Sequence, residues 1–405
     1  MLCEWVLYVI MITVVLFLVM TSVCYALIVV PDDSSTVQAA LNNALSGETV
    51  YVKSGVYNEF LTMYISKEYR LVGEDRNTTI IDGNFTGIPL QISTNHNVTV
   101  ENLIIQNSSA DGILATVSDF KRLNICNCEI TNNNNHGINL YDITGYYIIQ
   151  NCEITHNISK GIYSLEWSFG EIRDSYIAYN DGAIVLDNYN GAEIYNNIIE
   201  YNITPGLCPV LYTQDTFDIN IHNNIIRYNH SDGAGIISFV SAFGSATFTN
   251  NFFYKNSSRG SMGNIVGMSD IINNTIIENT CTLGGGGIVF NGWSIINNII
   301  AFNSNYGIFG DPKCSGEIQN NNIFGNLPAE IHCSTKDYDN IDEFNSDWIS
   351  AMENISCDTM FITSGDYHIT ETSCVVDKGT SYLAPATDLD GDSRPFDAGY
   401  DIGAD

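Results

Sequence analysis

Asp142, Glu166 and Asp187 each lie five residues after a glycine, at Gly137, Gly161 and Gly182. If those glycines mark one turn of a repeating fold, the three carboxylates stack in a column at the roughly 4.8 Å spacing of neighbouring strands. Closely spaced carboxylates raise one another's pKa, or they bind a hard cation such as Ca2+. Two of them about 5–9 Å apart can also act as the acid and base of glycan cleavage. Arg173 or Lys160 is the candidate basic member of a lyase site, and Tyr141, Trp167, Tyr189 and Tyr212 lie close by in sequence. Aromatic faces beside acids suit sugar rings. The plainer reading is that acids in an acidic chain form a solvated face and that aromatics near bends pack.

Other candidates are weaker. Asp388, Asp390 and Asp392 alternate before Arg394, like the start of a calcium loop. Gly399 stands where such a loop needs its glutamate, so a turn held by an Asp–Arg pair is the competing reading. The histidines are too dispersed for a copper site, since only His136 and His156 can be neighbours. Cys128 and Cys152 hold equivalent positions, which suits buried thiols or a disulfide. No P-loop, dinucleotide fingerprint or H-E-x-x-H motif is present, and the glycine run Gly284 to Gly287 falls at a turn.

These residues sit in a repeat. Ten short stretches align on a terminal Asn, among them ENLIIQN to Asn107, NCEITHN to Asn157, NNIIEYN to Asn202 and NNIIAFN to Asn303. Successive terminal Asn residues are 22 to 27 apart. A Gly followed by an aliphatic often comes next, as at Gly161-Ile162 and Gly287-Ile288. Each unit therefore reads as strand, Asn turn, strand, Gly turn, strand. Helical periodicity is absent and β-branched residues fill the apolar positions. One unit cannot bury its own Ile and Phe side chains, but stacked units can. Asn tolerates the left-handed bend and can bond to the Asn one coil above. The predicted architecture is all-β, a right-handed parallel β-helix with a short N-terminal cap helix. A leucine-rich repeat lacks its leucines here, and a propeller blade would be nearly twice as long.

Four regions follow. Residues 1–26 form a signal peptide or N-terminal anchor, with the apolar run Trp5 to Met20 and a cleavage site after Ala26. The membrane enters only through that segment if it stays uncleaved. Residues 27–100 hold the cap and first coils, with a capping box at Ser35-Thr36-Val37-Gln38 and a buried face of Val37, Ala40, Leu41, Ala44 and Leu45. Residues 101–326 are the regular coils and 327–405 the closing region. A formal charge of -31 argues against nucleic acid or an anionic membrane surface. Export permits disulfides, and nine cysteines beyond the leader leave at least one unpaired. Ten N-x-[ST] matches include Asn77, Asn107, Asn157, Asn229 and Asn256.

The run Val50-Tyr51-Val52-Lys53-Ser54-Gly55-Val56-Tyr57-Asn58-Glu59, followed by Leu71-Val72-Gly73-Glu74 and Ile80-Ile81-Asp82-Gly83, resembles the opening of the pectate-lyase-like superfamily of secreted β-helix proteins. It is also similar to the periplasmic copper-pathway members of that group. The tail from Ser373-Cys374 to Asp401-Ile402-Gly403-Ala404 resembles the ending of bacterial surface β-helix proteins. The resemblance implies architecture over nearly all of the mature chain. The superfamily includes lyases, hydrolases, esterases, epimerases and proteins without catalysis, and its active-site patterns, such as Asn-Thr-Asp or Gly-His-Gly, are missing here. Two readings stand: a glycan-binding or structural cell-surface protein, and a polysaccharide lyase or glycoside hydrolase. The expected partner is a polysaccharide or cell-surface glycan, and the one cofactor in view is Ca2+.

Overall fold

The computed structural model describes residues 27–64, 67–119, 121–165, 168–187, 191–206, 209–214, 218–233, 235–240, 245–259, 265–267, 269–290, 292, 294–310, 316–348, 350–363, 365–396 and 398–405. The expected leader, Glu166, Trp167 and Tyr189 lie outside these residues.

Three short strands recur in every regular coil. Arg122–Cys126, Glu129–Thr131 and Ile138–Ile143 make one coil, and Tyr146–Gln150 opens the next. These strands pair in parallel with their counterparts above and below, giving among the described residues sheets of 14, 12 and 13 strands that we call the first, second and third, with a short fourth sheet of four strands from Ile203–Thr204 to Thr280–Cys281. The chain is an all-β parallel β-helix. Among the described strands one ladder, Ile331–Cys333 with Lys336–Tyr338, is antiparallel. Alternate side chains point inward, so Ile125, Ile149, Ile172 and Ile194 stack in the lumen with no exposure.

Two buried Asn columns hold the turns. In one, Asn202 donates its N–H and Nδ2 to Asn229 Oδ1 at 3.0 and 3.1 Å, and Asn229 treats Asn256 alike. The second Nδ2 hydrogen goes to a backbone carbonyl, as from Asn229 to Ile199 at 2.8 Å. This column runs from Asn133 to Asn326. The other uses the second Asn of each pair, Asn197, Asn224, Asn251, Asn274, Asn298 and Asn321. The first Asn of each pair takes the left-handed bend, as at Asn223 with φ 55°. Asn107 is not a ladder residue. Gln106 faces Thr131, so Ser108 sits opposite Asn133, and the alignment on Asn107 is one residue off.

The cap helix α1, Val37–Asn43, is shorter than the expected Thr36 to Leu45. Thr36 Oγ1 accepts the Ala39 N–H at 3.1 Å. The acid that completes the cap comes from afar: Glu59 accepts the N–H groups of Val37 and Gln38 at 3.0 and 2.9 Å. Lys67 closes the other end, donating to the carbonyls of Leu41, Asn42 and Ala44 at 2.8, 3.2 and 2.6 Å. Because the helix stops at Asn43, Leu45 is 69% exposed and is not part of the buried face.

Residues beyond the last regular coil do more than close an end. A second helix, α2 (Ile341–Asp347), packs beside the final strands. An arm from about residue 355 then returns along the outside of the second sheet. Val375 and Ile402 join Phe252, Ile277, Ile299 and Ala301 in a separate buried cluster. The left-handed Asn residues fasten this arm, donating from Asn223 to Asp388 O, Asn250 to Thr387 O, Asn273 to Gly403 O and Asn297 to Thr380 O. Cys357 and Cys374 are disulfide-bonded within it. Cys126, Cys128 and Cys152 are free thiols, and burial pushes Cys152 up to about 12.

Candidate functional site

The structure separates the residues singled out in the sequence. Asp142 and Asp187 both belong to the third sheet, on the strands Ile138–Ile143 and Ile184–Asp187. Asp142 is exposed, and Tyr141 beside it is 57% exposed. The register moves Asp187 by one: Ile162 faces Ile184, so Asp187 stands opposite Leu165, not level with Glu166. Counting from the glycines misses this because Gly182 precedes the turn position held by Gly161, where Ala183 sits instead. Tyr141 adds a second irregularity, since the strand pairing skips it between Leu140 and Asp142. Tyr212 lies on the same sheet, paired with Val185, and its hydroxyl bonds to Gln214.

Arg173 is on the first sheet, in a different constellation. Glu171 is its centre. Tyr146 donates to Glu171 Oε1 at 2.6 Å, while Arg173 Nε and Tyr195 donate to Oε2 at 3.0 and 3.2 Å. These donors, Tyr146 foremost, hold the Glu171 carboxyl below the usual range. Burial, aided by the same hydrogen bond, pushes the Tyr146 phenol up to about 12. Arg173 also pairs with Asp174 at 2.8 Å and lies 6.0 Å from the Tyr195 ring centre. Tyr195 stacks on His222 at 4.9 Å.

Beside this knot is a cleft of about 340 Å3 lined by Tyr146, Phe169, Gly191, Glu193, Asp218 and Asn220. The ladder explains how it forms. Tyr146, Phe169 and Gly191 are direct neighbours on successive coils, as are Glu171, Glu193 and Asn220. A side chain at Gly191 would meet the Phe169 ring at 2.7 Å, so glycine there gives the ring its seat. Gly170, facing inward, makes the same room for the fully buried Tyr147. Phe169 remains 46% exposed and Glu193 is exposed, with no hydrogen-bond or ion-pair partner among the described residues. The arrangement is a carboxylate kept ionised, a second carboxylate one coil on, and aromatic walls. Only Arg173 of the sequence-derived set lies here. Glu171 and Glu193 escaped the sequence reading because their significance comes from register across coils, not from spacing to a glycine.

A second groove of about 520 Å3 follows the turn after the second sheet, lined by His156, Ile158, Tyr179, Asp181, Tyr201 and Ile203. His156, Tyr179, Tyr201 and Tyr228 stack at 5.0, 5.3 and 5.2 Å. All four adopt left-handed backbone, φ 54° to 59°, which bulky residues seldom do. Ring stacking worth about 0.5–1.5 kcal/mol per pair offsets that strain.

The proposed calcium loop is built otherwise. Asp388 Oδ1 accepts the N–H groups of Asp390 and Asp392 at 2.9 and 2.8 Å, holding its own turn. Among the described residues Arg394 pairs with no aspartate side chain; its guanidinium donates to the carbonyls of Asp401, Gly403 and Asp405. Among the described residues the convergent group is His368, Asp390 and Asp405, whose ligand atoms lie within 4.8 Å of one another and suit a divalent cation.

No helix among the described residues is long and apolar enough to cross a membrane. No curated protein matches the chain. Solved structures that resemble it are pectate lyase Pel9A (13% identity, TM-score 0.48, covering 91% of this chain and 90% of that one) and the PL6 family polysaccharide lyase Pedsa3628 from Pseudopedobacter saltans (12%, 0.45, 82% and 92%). The surface adhesin PfbA of Streptococcus pneumoniae is a third (12%, 0.36, 73% and 86%). Residues 124–280 match the family model "Right handed beta helix region", and with the ladders above this makes the chain a right-handed parallel β-helix repeat protein.

Proposed function

We propose that this protein acts on an extracellular polysaccharide, which the first-sheet cleft holds and cleaves. The observation that carries this reading is the pairing of Glu171, fixed as a carboxylate by Tyr146, Tyr195 and Arg173, with Glu193 at the same position one coil on. Neighbouring strands stand about 4.8 Å apart, close to the roughly 5–5.5 Å of paired carboxylates that cleave with retention. Glu171 is then the nucleophile or base and Glu193 the proton donor to the leaving oxygen, with Phe169 and Tyr146 against the sugar rings. The disulfide Cys357–Cys374 fits an oxidising, extracellular setting. A chain of charge -31 favours a neutral glycan, or an acidic one bridged by Ca2+.

The test is incubation with neutral and acidic polysaccharides, with and without Ca2+, scored for new reducing ends and for the ultraviolet absorbance of unsaturated uronates. Loss of product in E193Q and E171Q would support the cleft. Absorbance without hydrolysis would assign elimination, with Arg173 as the basic member. No product on any glycan would favour retention without cleavage. That second reading draws on the exposed Tyr179, Tyr201, Ile158 and Ile203 of the aromatic groove, and affinity electrophoresis of Y201A would test it. Tyr141, Asp142 and Tyr212 offer a further contact face on the third sheet, for which D142A is the matching variant.

A further inference from the structure

We propose that His368, Asp390 and Asp405 bind a transition-metal ion of the Zn2+ class, and that this ion fastens the C-terminal arm. The proposal is independent of the saccharide cleft. The three residues come from separate stretches: the segment before Ile369, the loop at 387–393 and the end of the arm. Their ligand atoms lie within 4.8 Å of one another, so a small inward movement seats an ion with bonds of about 2.0–2.2 Å.

Each ligand is already oriented by a partner outside the trio. His368 Nδ1 lies 2.5 Å from Asp366 Oδ1, so the proton on Nδ1 is held there and Nε2 faces Asp390 Oδ2 at 3.1 Å. Carboxylate, imidazole, metal is the usual order of a second-shell acid. Tyr367 donates to Asp390 Oδ1 at 2.9 Å, and the Ile369 N–H to Asp405 Oδ2 at 2.8 Å. Asp405 thus keeps its other oxygen for an ion, and in Asp390 an ion would enter between Oδ2 and the His368 Nε2 that now faces it.

Charge supplies a separate argument. Asp366, Asp390 and Asp405 gather around one imidazole, and Arg394 spends its guanidinium on backbone carbonyls. No Lys or Arg side chain pairs with these three carboxylates among the described residues. Partly desolvated negative charge of this kind calls for a counter-ion. An imidazole nitrogen with two carboxylates selects Zn2+ or its neighbours over Ca2+, which prefers six or more oxygens.

The experiment uses tag-free, chelator-treated full-length protein dialysed against Zn2+, Mn2+ or Ca2+, with bound metal counted. One equivalent of Zn2+ is expected. H368Q and D390N, each checked for an unchanged circular dichroism spectrum, should bind at least tenfold more weakly. Zn2+ should also slow proteolysis of residues 355–405 in the native protein and not in the variants, a readout that misfolding of one variant cannot mimic. No saturable Zn2+ binding, retention of binding in both variants, or preference for Ca2+ would overturn the proposal.

Discussion

Asn326 donates from Nδ2 to Glu330 Oε2 at 2.7 Å, and the same oxygen accepts the Asn326 N–H at 3.1 Å. Glu330 thereby does for Asn326 what each Asn does for the one before it. Every amide in the column points the same way, so its C-terminal end presents N–H groups, and a carboxylate answers them. Replacing Glu330 with Ala leaves these donors buried and unmatched, at a cost of about 3 kcal/mol. Glu330→Gln keeps an acceptor and should lose less than half of that. Urea denaturation midpoints decide; an unchanged E330A would mean that the column does not need its cap.

Lys67 predicts a second stability effect. Its ammonium satisfies three carbonyls at the end of α1, and burial lowers its pKa. Lys67→Met should cost about 2 kcal/mol and expose the first coil. Hydrogen exchange should rise in Val37–Asn43 and in Thr49–Val52 beneath it, while the coils beyond residue 130 stay protected.

Acid should act through Glu171. A carboxylate held below its ordinary range contributes stability at neutral pH, and that contribution is lost as pH falls through its lowered value. Melting temperature of the native protein should therefore drop on acidification below the usual carboxylate range. Glu171→Gln should melt lower at neutral pH and lose part of this drop. Parallel curves for the two proteins would contradict it.

Burial also sorts the glycosylation motifs. Asn157, Asn202, Asn229, Asn256, Asn273 and Asn354 are at most 3% exposed. Asn77, Asn84 and Asn97 are exposed. Secreted from a glycosylating host, folded protein should carry glycans only on the early coils. Mass spectrometry after deglycosylation would locate them, and a modified Asn229 in folded material would be incompatible with the column.

The coils were legible in the sequence because their physics is local. A β-branched strand, an Asn bend and a repeat near 24 residues dictate stacking without knowledge of any distant contact. The recurring terminal Asn even pointed to a column of them. What escaped was offset by one residue: Ser108 for Asn107, and Ala183 for Gly182. Such slips matter little to a hydrophobic column and greatly to a functional one, because a single step changes which acids are level. The arm was illegible for another reason. The Asn residues that fasten it are 58 to 166 residues away, as with Lys378 and Asn320 or Leu389 and Asn223, and no period in the sequence links them.

That arm changes the kind of object this solenoid is. In a plain stack each coil touches only its neighbours, and the rod can fray from either end one layer at a time. Here a thread sewn from coil to coil joins Asn320, Asn297, Asn273, Asn250 and Asn223. Half the rod is locked only when residues 378–403 arrive, so a chain emerging from its N-terminus stays open-seamed until they are made. Once sewn, those coils can come apart only together.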